Sequence, residues 1–369
     1  AVGAVLLGGE RKGATVRDDD HGVGNLPVML IALVCPDKFR GTLTGPDAAA
    51  ALARGLRTAG FTEVRCLPLA DGGEGTTEAL LAARGGSRRQ AAVTGPLGET
   101  VEASWGVLPD GTAVLECAAA SGLALVEGPN DPLAATSRGT GELIAAAVRA
   151  GARKVLVAAG GSAMTDGGLG AVTALGWSLA GVEVTVACDV ETSFVDAAAV
   201  FGPQKGATPA QVSLLARRLE RLAEVYRDRT GVDVTGLCHS GAAGGLAGGL
   251  AALGASLEPG FEVVARTCGM EAALAGVDLV VTGEGRLDAS SFEGKVVGGV
   301  LEWAEADGVP ARAVVAGQVA TGTPLPEGVL TLALADRVWQ TGEAFSRAAV
   351  LVEEAAVEAG RWARERLNR

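Results

Sequence analysis

The feature that most restricts what this chain can become is a recurring triplet. A short run of aliphatic and β-branched residues is followed by a glycine-rich, often acidic loop and then by an alanine-rich helical stretch. Strands that alternate with helices return across the sheet in the same direction, so the pattern predicts an α/β fold on largely parallel sheets. Leu30 to Cys35 reads as the first strand and Val64 to Leu69 as the second. Between them, Pro46 to Ala59 reads as a helix with proline near its first turn and Gly60 as its stop. Three more strands are expected at Leu279 to Thr282, Ala313 to Ala316 and Val329 to Leu334, ahead of a closing helix that ends at Leu367. Five such strands match a flavodoxin-like sheet.

The rhythm changes between Ala91 and Glu116, where short extended pieces joined by Gly and Pro turns predict antiparallel hairpins. A helix at Gly141 to Ala150, strands at Val155 to Ala159 and Val182 to Cys188, and a long charged helix from Pro209 to about Tyr226 follow. The expected organisation has three parts. Residues 1–28, which precede the first methionine, Met29, form a disordered extension. Residues 29–83 and 251–369 form the flavodoxin-like domain, and a second α/β domain is inserted at 84–250. The cleft between the two is the expected binding site.

Chemistry concentrates in the loops. Asp71-Gly72-Gly73-Glu74-Gly75, the run from Gly160, Gly161 and Ser162 to Gly168, and Gly283-Glu284-Gly285-Arg286-Leu287-Asp288 combine glycine with carboxylates, and Cys188-Asp189 adds a carboxylate without the glycine. Successive amide groups in such loops can hold phosphate oxygens, and the carboxylates can hold Mg²⁺ or accept a proton. Basic residues fall in the same kind of loop: Lys38, Arg40, Arg138, Lys205, Arg286 and Lys295, which include three of only five lysines. With a net charge of −12, the protein needs such local cations to neutralise an anionic ligand. The same balance argues against nucleic acid or an anionic membrane as partner.

Several classes are excluded or weakened. Gly294-Lys295 lacks the earlier glycine and the following Ser or Thr of a P-loop, and neither Gly168-Leu169-Gly170 nor Gly283-Glu284-Gly285 completes a dinucleotide-binding G-x-G-x-x-G. The six cysteines show no C-x-x-C spacing and read as buried thiols of a cytoplasmic protein. With only His21 and His239 present, zinc sites on paired histidines are excluded, and His239 reads as structural rather than as a ligand contact.

A series of ordered strings then resembles a known family. Pro36-Asp37-Lys38-Phe39-Arg40-Gly41-Thr42-Leu43, Pro68-Leu69-Ala70-Asp71-Gly72-Gly73-Glu74-Gly75-Thr76, Thr94-Gly95-Pro96-Leu97-Gly98, Gly139-Thr140-Gly141-Glu142-Leu143-Ile144, Gly160-Gly161-Ser162-Ala163, Phe201-Gly202-Pro203-Gln204-Lys205-Gly206-Ala207 and Thr282-Gly283-Glu284-Gly285-Arg286-Leu287-Asp288 are similar to motifs of the bacterial glycerate kinases of type I. The resemblance runs from about Met29 to the C-terminus. It implies ATP-dependent phosphorylation of D-glycerate with Mg²⁺, giving 2-phosphoglycerate, with 3-phosphoglycerate as the other product to consider. It also implies a flavodoxin-like domain carrying an inserted domain of restriction-endonuclease-like fold.

Two departures from the family pattern stand out. Ala180-Gly181 alone joins the helix at Ala171 to Leu179 to the next strand, and Glu191 to Asp196 replaces a usual Asn-Pro-Leu stretch directly after Asp189. Within this reading Asp189 is the expected proton acceptor, and Asp71 and Asp288 lie near Mg²⁺. Lys295 and Lys38 meet phosphate oxygens, and Arg286 or Arg138 meets the glycerate carboxylate. Asp37, Arg40, Gly72, Gly73, Glu74, Gly75, Gly160, Gly161, Ser162, Lys205, Gly283, Glu284 and Gly285 complete the expected binding surface. The alternatives are a kinase of another small hydroxy acid, a nicotinamide-dependent oxidoreductase, and a noncatalytic relative that binds nucleotide. A homodimer is compatible with any of them.

Overall fold

The computed structural model describes residues 29–39, 41–338 and 341–369. The extension expected over 1–28, and Arg40, lie outside the described residues. Eleven strands form two sheets. The first contains β1 (Ile31–Pro36), β2 (Glu63–Cys66), β9 (Leu279–Leu287), β10 (Ala311–Val319) and β11 (Val329–Ala333), in the order β11-β10-β9-β1-β2 with every neighbour parallel. Numbered by first appearance, that is the 2-1-3-4-5 order of a flavodoxin-like sheet. The second contains β3 (Ser87–Thr94), β4 (Thr100–Val107), β5 (Ala113–Glu116), β6 (Lys154–Ala158), β7 (Glu183–Cys188) and β8 (Ser256–Pro259), paired in that order. The pairs β3–β4 and β4–β5 are antiparallel, as the hairpin-rich segment predicts, and β5 to β8 are parallel.

Side-chain alternation along the strands shows how the layers stack, because successive residues of a strand face opposite sides. In β1, Ala32 and Val34 pack with the helices Gly45–Thr58 and Ala348–Leu367, whereas Leu33 and Cys35 face the other way. Those two share one buried cluster with Val114 of β5, Leu156 of β6 and Ala187 of β7. Phe261 and Val264 of the helix Gly260–Cys268 and Leu80 of the helix Thr76–Arg84 fill the space between. The remaining faces of β5 to β7, through Leu115, Val157 and Val186, pack against Leu143 and Ile144 of the helix Arg138–Arg149. The two sheets therefore flank a common helical layer.

Three sequence expectations are corrected. The segment Gly283 to Arg286 continues β9 instead of forming a loop, with Glu284 opposite Ala316 and Arg286 opposite Gln318. Gly283 permits it, since a Cβ there would lie 2.0 Å from the Val315 carbonyl oxygen. Strand β8 lies beyond residue 250, where the inserted segment was expected to end; Ser256-Leu257-Glu258-Pro259 has a single aliphatic residue to signal it. Cys66 and Cys238 are exposed while the other four cysteines are buried, and all six are free. Among the described residues, no helix is long and apolar enough to cross a membrane.

Candidate active site

Parallel strands present their carboxyl ends on one side, and ligands of open α/β sheets bind in the crevice there. Asp37 and Lys38 follow β1, and the Asp37 amide donates to the Gly283 carbonyl (2.8 Å), which ties the end of β1 to β9. These two residues, with Asp71, Glu284, Arg286, Asp288 and Lys295, line a cavity of about 520 Å³ at the ends of the first sheet. A second cavity, of about 500 Å³, lies at the ends of β6 and β7 and is lined by Glu74, Gly160, Gly161, Ser162, Asp189 and Lys205. The loop after β2 links them. Gly72, at φ +90°, passes so near the Gly260 backbone that a Cβ would lie 2.7 Å from its Cα, and a Cβ on Gly160 would lie 2.6 Å from the Gly73 Cα.

Glycine in this loop thus serves close packing. It does not make a bare cradle of amides for phosphate, because the Gly73 amide donates to Asp71 Oδ1 (3.1 Å) and the Gly75 amide to Glu116 Oε1 (3.2 Å). Glu116 also accepts from the Thr77 amide (2.9 Å) and so caps the helix that follows. That residue is absent from the sequence expectations, since its partner lies 39 positions away.

Asp189 lines the second cavity, within electrostatic reach of Asp71 and Lys295 of the first. Protein around it and the nearby Asp71 carboxylate raise its pKa, while Lys295 opposes the shift. Lys295 precedes the helix Val296–Ala306, whose amino end faces the site, and its Nζ donates to Ser290 Oγ (2.8 Å). The Ser290 hydroxyl in turn donates to Asp288 Oδ1 (2.7 Å), and this bond with the Ser290 amide holds the Asp288 carboxyl below the usual carboxylate range. Ser290 is therefore a connecting group missed in the sequence, where Asp-Ala-Ser-Ser carried a helix-cap signal. Burial pushes the Glu284 carboxyl up, and its Oε1 is buried with no hydrogen-bond partner.

Arg138 is not brought to either cavity. It pairs with Glu142 one turn along its own helix (2.8 Å) and lines a separate cavity with Asp166 and Arg217. Asp166 is structural: its carboxylate accepts from the Ser137 amide and hydroxyl and from the Gly168 and Gly170 amides. His239 has the structural role expected, with Nδ1 2.8 Å from the Val190 carbonyl oxygen next to Asp189. The stretch from Glu191 to Asp196 is anchored by one residue, since Phe194 is fully buried and meets Tyr226 edge-on while Glu191 and Asp196 are exposed.

The glycerate kinase family model matches residues 32–181 and 177–364. The chain belongs to the glycerate kinase family. It is 42% identical over 311 residues to the glycerate 2-kinase of Escherichia coli, covering 74% of this chain and 81% of that one. It is 39% identical over 315 residues to a glycerate kinase of Bacillus subtilis, covering 75% and 82%. A crystal structure assigned to glycerate kinase 2 of Salmonella typhimurium superposes with a TM-score of 0.77 at 34% identity, over 92% of this chain and 100% of that one. Family membership makes the protein an enzyme of the kinase class.

The magnesium ion expected from the sequence can be set against the side chains of the first cavity. Four carboxylates, Asp37, Asp71, Glu284 and Asp288, face three cations in the first cavity, and Glu284 Oε1 is orphaned. Hard oxygen donors in surplus fit Mg²⁺. Among the described residues no three His, Cys, Asp or Glu side chains are grouped so as to hold a metal ion by themselves.

Proposed function

We propose that this protein transfers the γ-phosphoryl group of ATP to the 2-hydroxyl of D-glycerate, giving 2-phosphoglycerate and ADP. The observation that carries the reading is the position of Asp189 in the second cavity, near enough to Asp71 and Lys295 of the first for both charges to act on it, in a chain of this family. The name of the Escherichia coli relative supports the 2-position.

In this reading the two sheets are the cores of two lobes, and reaction takes place where their loops meet. Lys38 and Lys295 neutralise the phosphate oxygens, helped by the amino end of the helix after Lys295, and Arg286, expected from the sequence on the glycerate carboxylate, joins them because it lines the same cavity. Asp71 and Asp288 would hold magnesium, which supplies further neutralisation of the phosphates when bound; Asp288 Oδ1 is engaged by Ser290, leaving Oδ2 for this role. Asp189 accepts the glycerate hydroxyl proton as the oxygen attacks phosphorus. Phosphoryl transfer asks chiefly for positioning and charge neutralisation, so this set of residues is chemically sufficient.

The test is a coupled ADP-release assay with D-glycerate, with the product identified by ³¹P NMR. The expected outcome is ADP formation in step with 2-phosphoglycerate. ADP release without a phosphoglycerate product, or with the 3-isomer, would overturn the assignment.

A further inference from the structure

The second cavity contains a charge that takes no part in the phosphoryl transfer proposed above. Lys205 ends the short 3₁₀ turn Pro203–Lys205 and is only 4% exposed. Its Nζ donates to Ser162 Oγ (2.9 Å) and to the Met164 carbonyl (2.6 Å). Both acceptors are neutral. Its remaining charge lies over the Phe201 ring, 5.9 Å from the centroid, and no carboxylate lies within ion-pairing distance of Nζ, among the described residues. The turn is fixed from the other side by Asn130 Nδ2, which donates to the carbonyls of Lys205 (2.8 Å) and Ala163 (3.0 Å).

A buried ammonium without a counter-ion is costly, and the fold holds this one rigidly at the wall of an open cavity. The titratable side chains that share that cavity, Glu74 and Asp189, are acidic and would repel an incoming carboxylate. The cations of the first cavity serve a different surface, and Arg138 is paired elsewhere.

We propose that Lys205 binds the carboxylate of the acceptor substrate, so that the hydroxy acid occupies the cavity at the ends of β6 and β7 with its hydroxyl toward Asp189. The inference rests on the glycerate reading above and assigns the two substrates to separate cavities. It also makes Lys205 a specificity residue. A cation that cannot follow a longer molecule selects a short 2-hydroxy acid and rejects the same skeleton without the negative charge.

Burial lowers the Lys205 pKa to about 8, with Cys117 and Asp166 opposing the shift. Arrival of an anion would restore the charged form.

The experiment compares wild type with Lys205→Met and Lys205→Arg, using steady-state kinetics together with calorimetric titration of D-glycerate and of its uncharged amide. Lys205→Met is expected to lose affinity for D-glycerate on the order of 10²-fold, as for a buried charge contact, while the KM for ATP stays within about twofold. It should also lose the preference for acid over amide, and Lys205→Arg should restore part of it. A merely structural role would weaken acid and amide equally and would overturn the proposal, as would unchanged D-glycerate affinity in folded Lys205→Met. If both variants fail to fold, wild type still decides. Its KM for D-glycerate should rise above about pH 8 while that for ATP does not, and equal affinity for acid and amide would refute the assignment. Absence of wild-type turnover with D-glycerate would defeat the glycerate reading instead, and the acid-against-amide titration would continue to report on Lys205.

Discussion

The two cavities present their cations in opposite ways. At the first sheet, Arg286 and Lys295 are exposed, and Lys295 shares its charge with a Ser290–Asp288 relay. At the second sheet a single cation, Lys205, is buried and fixed by backbone and hydroxyl acceptors. A polyphosphate spreads its charge over many oxygens and must leave after each turnover, so several solvated cations suit it. A small carboxylate offers one charge on few atoms, and only a desolvated partner gives it strong, selective binding. Under the proposals above, the difference would let one acidic protein bind two anions side by side by varying the solvation of its cations.

The largest expected effect falls on the Asp189 carboxylate of the second cavity. Asp189→Asn keeps shape and hydrogen-bonding reach but removes basicity, so turnover should fall by roughly 10²- to 10⁴-fold while folding and nucleotide binding persist. Rate measurements beside nucleotide titration check this. Parallel loss of nucleotide affinity would make Asp189 a metal-holding group and would merge the two cavities into one functional site. Next comes Lys295→Ala, expected to lower kcat on the order of 10²-fold with little change in the KM for glycerate. A raised glycerate KM in that variant would break the division between phosphate side and carboxylate side.

How much of this was legible in the sequence depends on the range of the interaction. The parallel strands announced themselves through runs such as Leu30 to Val34, because a strand buried on both faces is apolar throughout. Gly283 to Arg286 misled, since glycine and charge signal a loop locally, whereas the Val315 carbonyl across the sheet is what requires Gly283. Arg138 misled in another way: its partner Glu142 lies four residues on, a spacing that already fits a helix-surface pair. The gathering of Asp37, Lys38, Asp71, Arg286, Asp288 and Lys295 in one cavity follows from strand order, once β1 and β9 are neighbours. The burial of Lys205 was invisible, because its acceptors Ser162 and Met164 are more than forty residues away in the chain.

The next effect concerns the loop that links the cavities. Gly72→Ala puts a Cβ 2.7 Å from the Gly260 Cα at a positive φ, and should cost roughly 1–3 kcal/mol of stability. Thermal or urea unfolding measures it, and an unshifted midpoint would mean that the loop and the Gly260 backbone are less closely packed than described. The smallest effect belongs to Arg138→Ala. Its half-exposed pair with Glu142 contributes at most about 1 kcal/mol, and both KM values should be unchanged within error. A raised glycerate KM would return Arg138 to the substrate and displace Lys205 from that role.

The central claim, that two differently solvated sets of cations receive two different anions, is tested most directly by equilibrium titration. ADP and D-glycerate are titrated separately against wild type, Lys38→Ala and Lys205→Met. The account predicts a crossed pattern, with Lys38→Ala weakening ADP alone and Lys205→Met weakening D-glycerate alone. Loss of both ligands in either folded variant would contradict it.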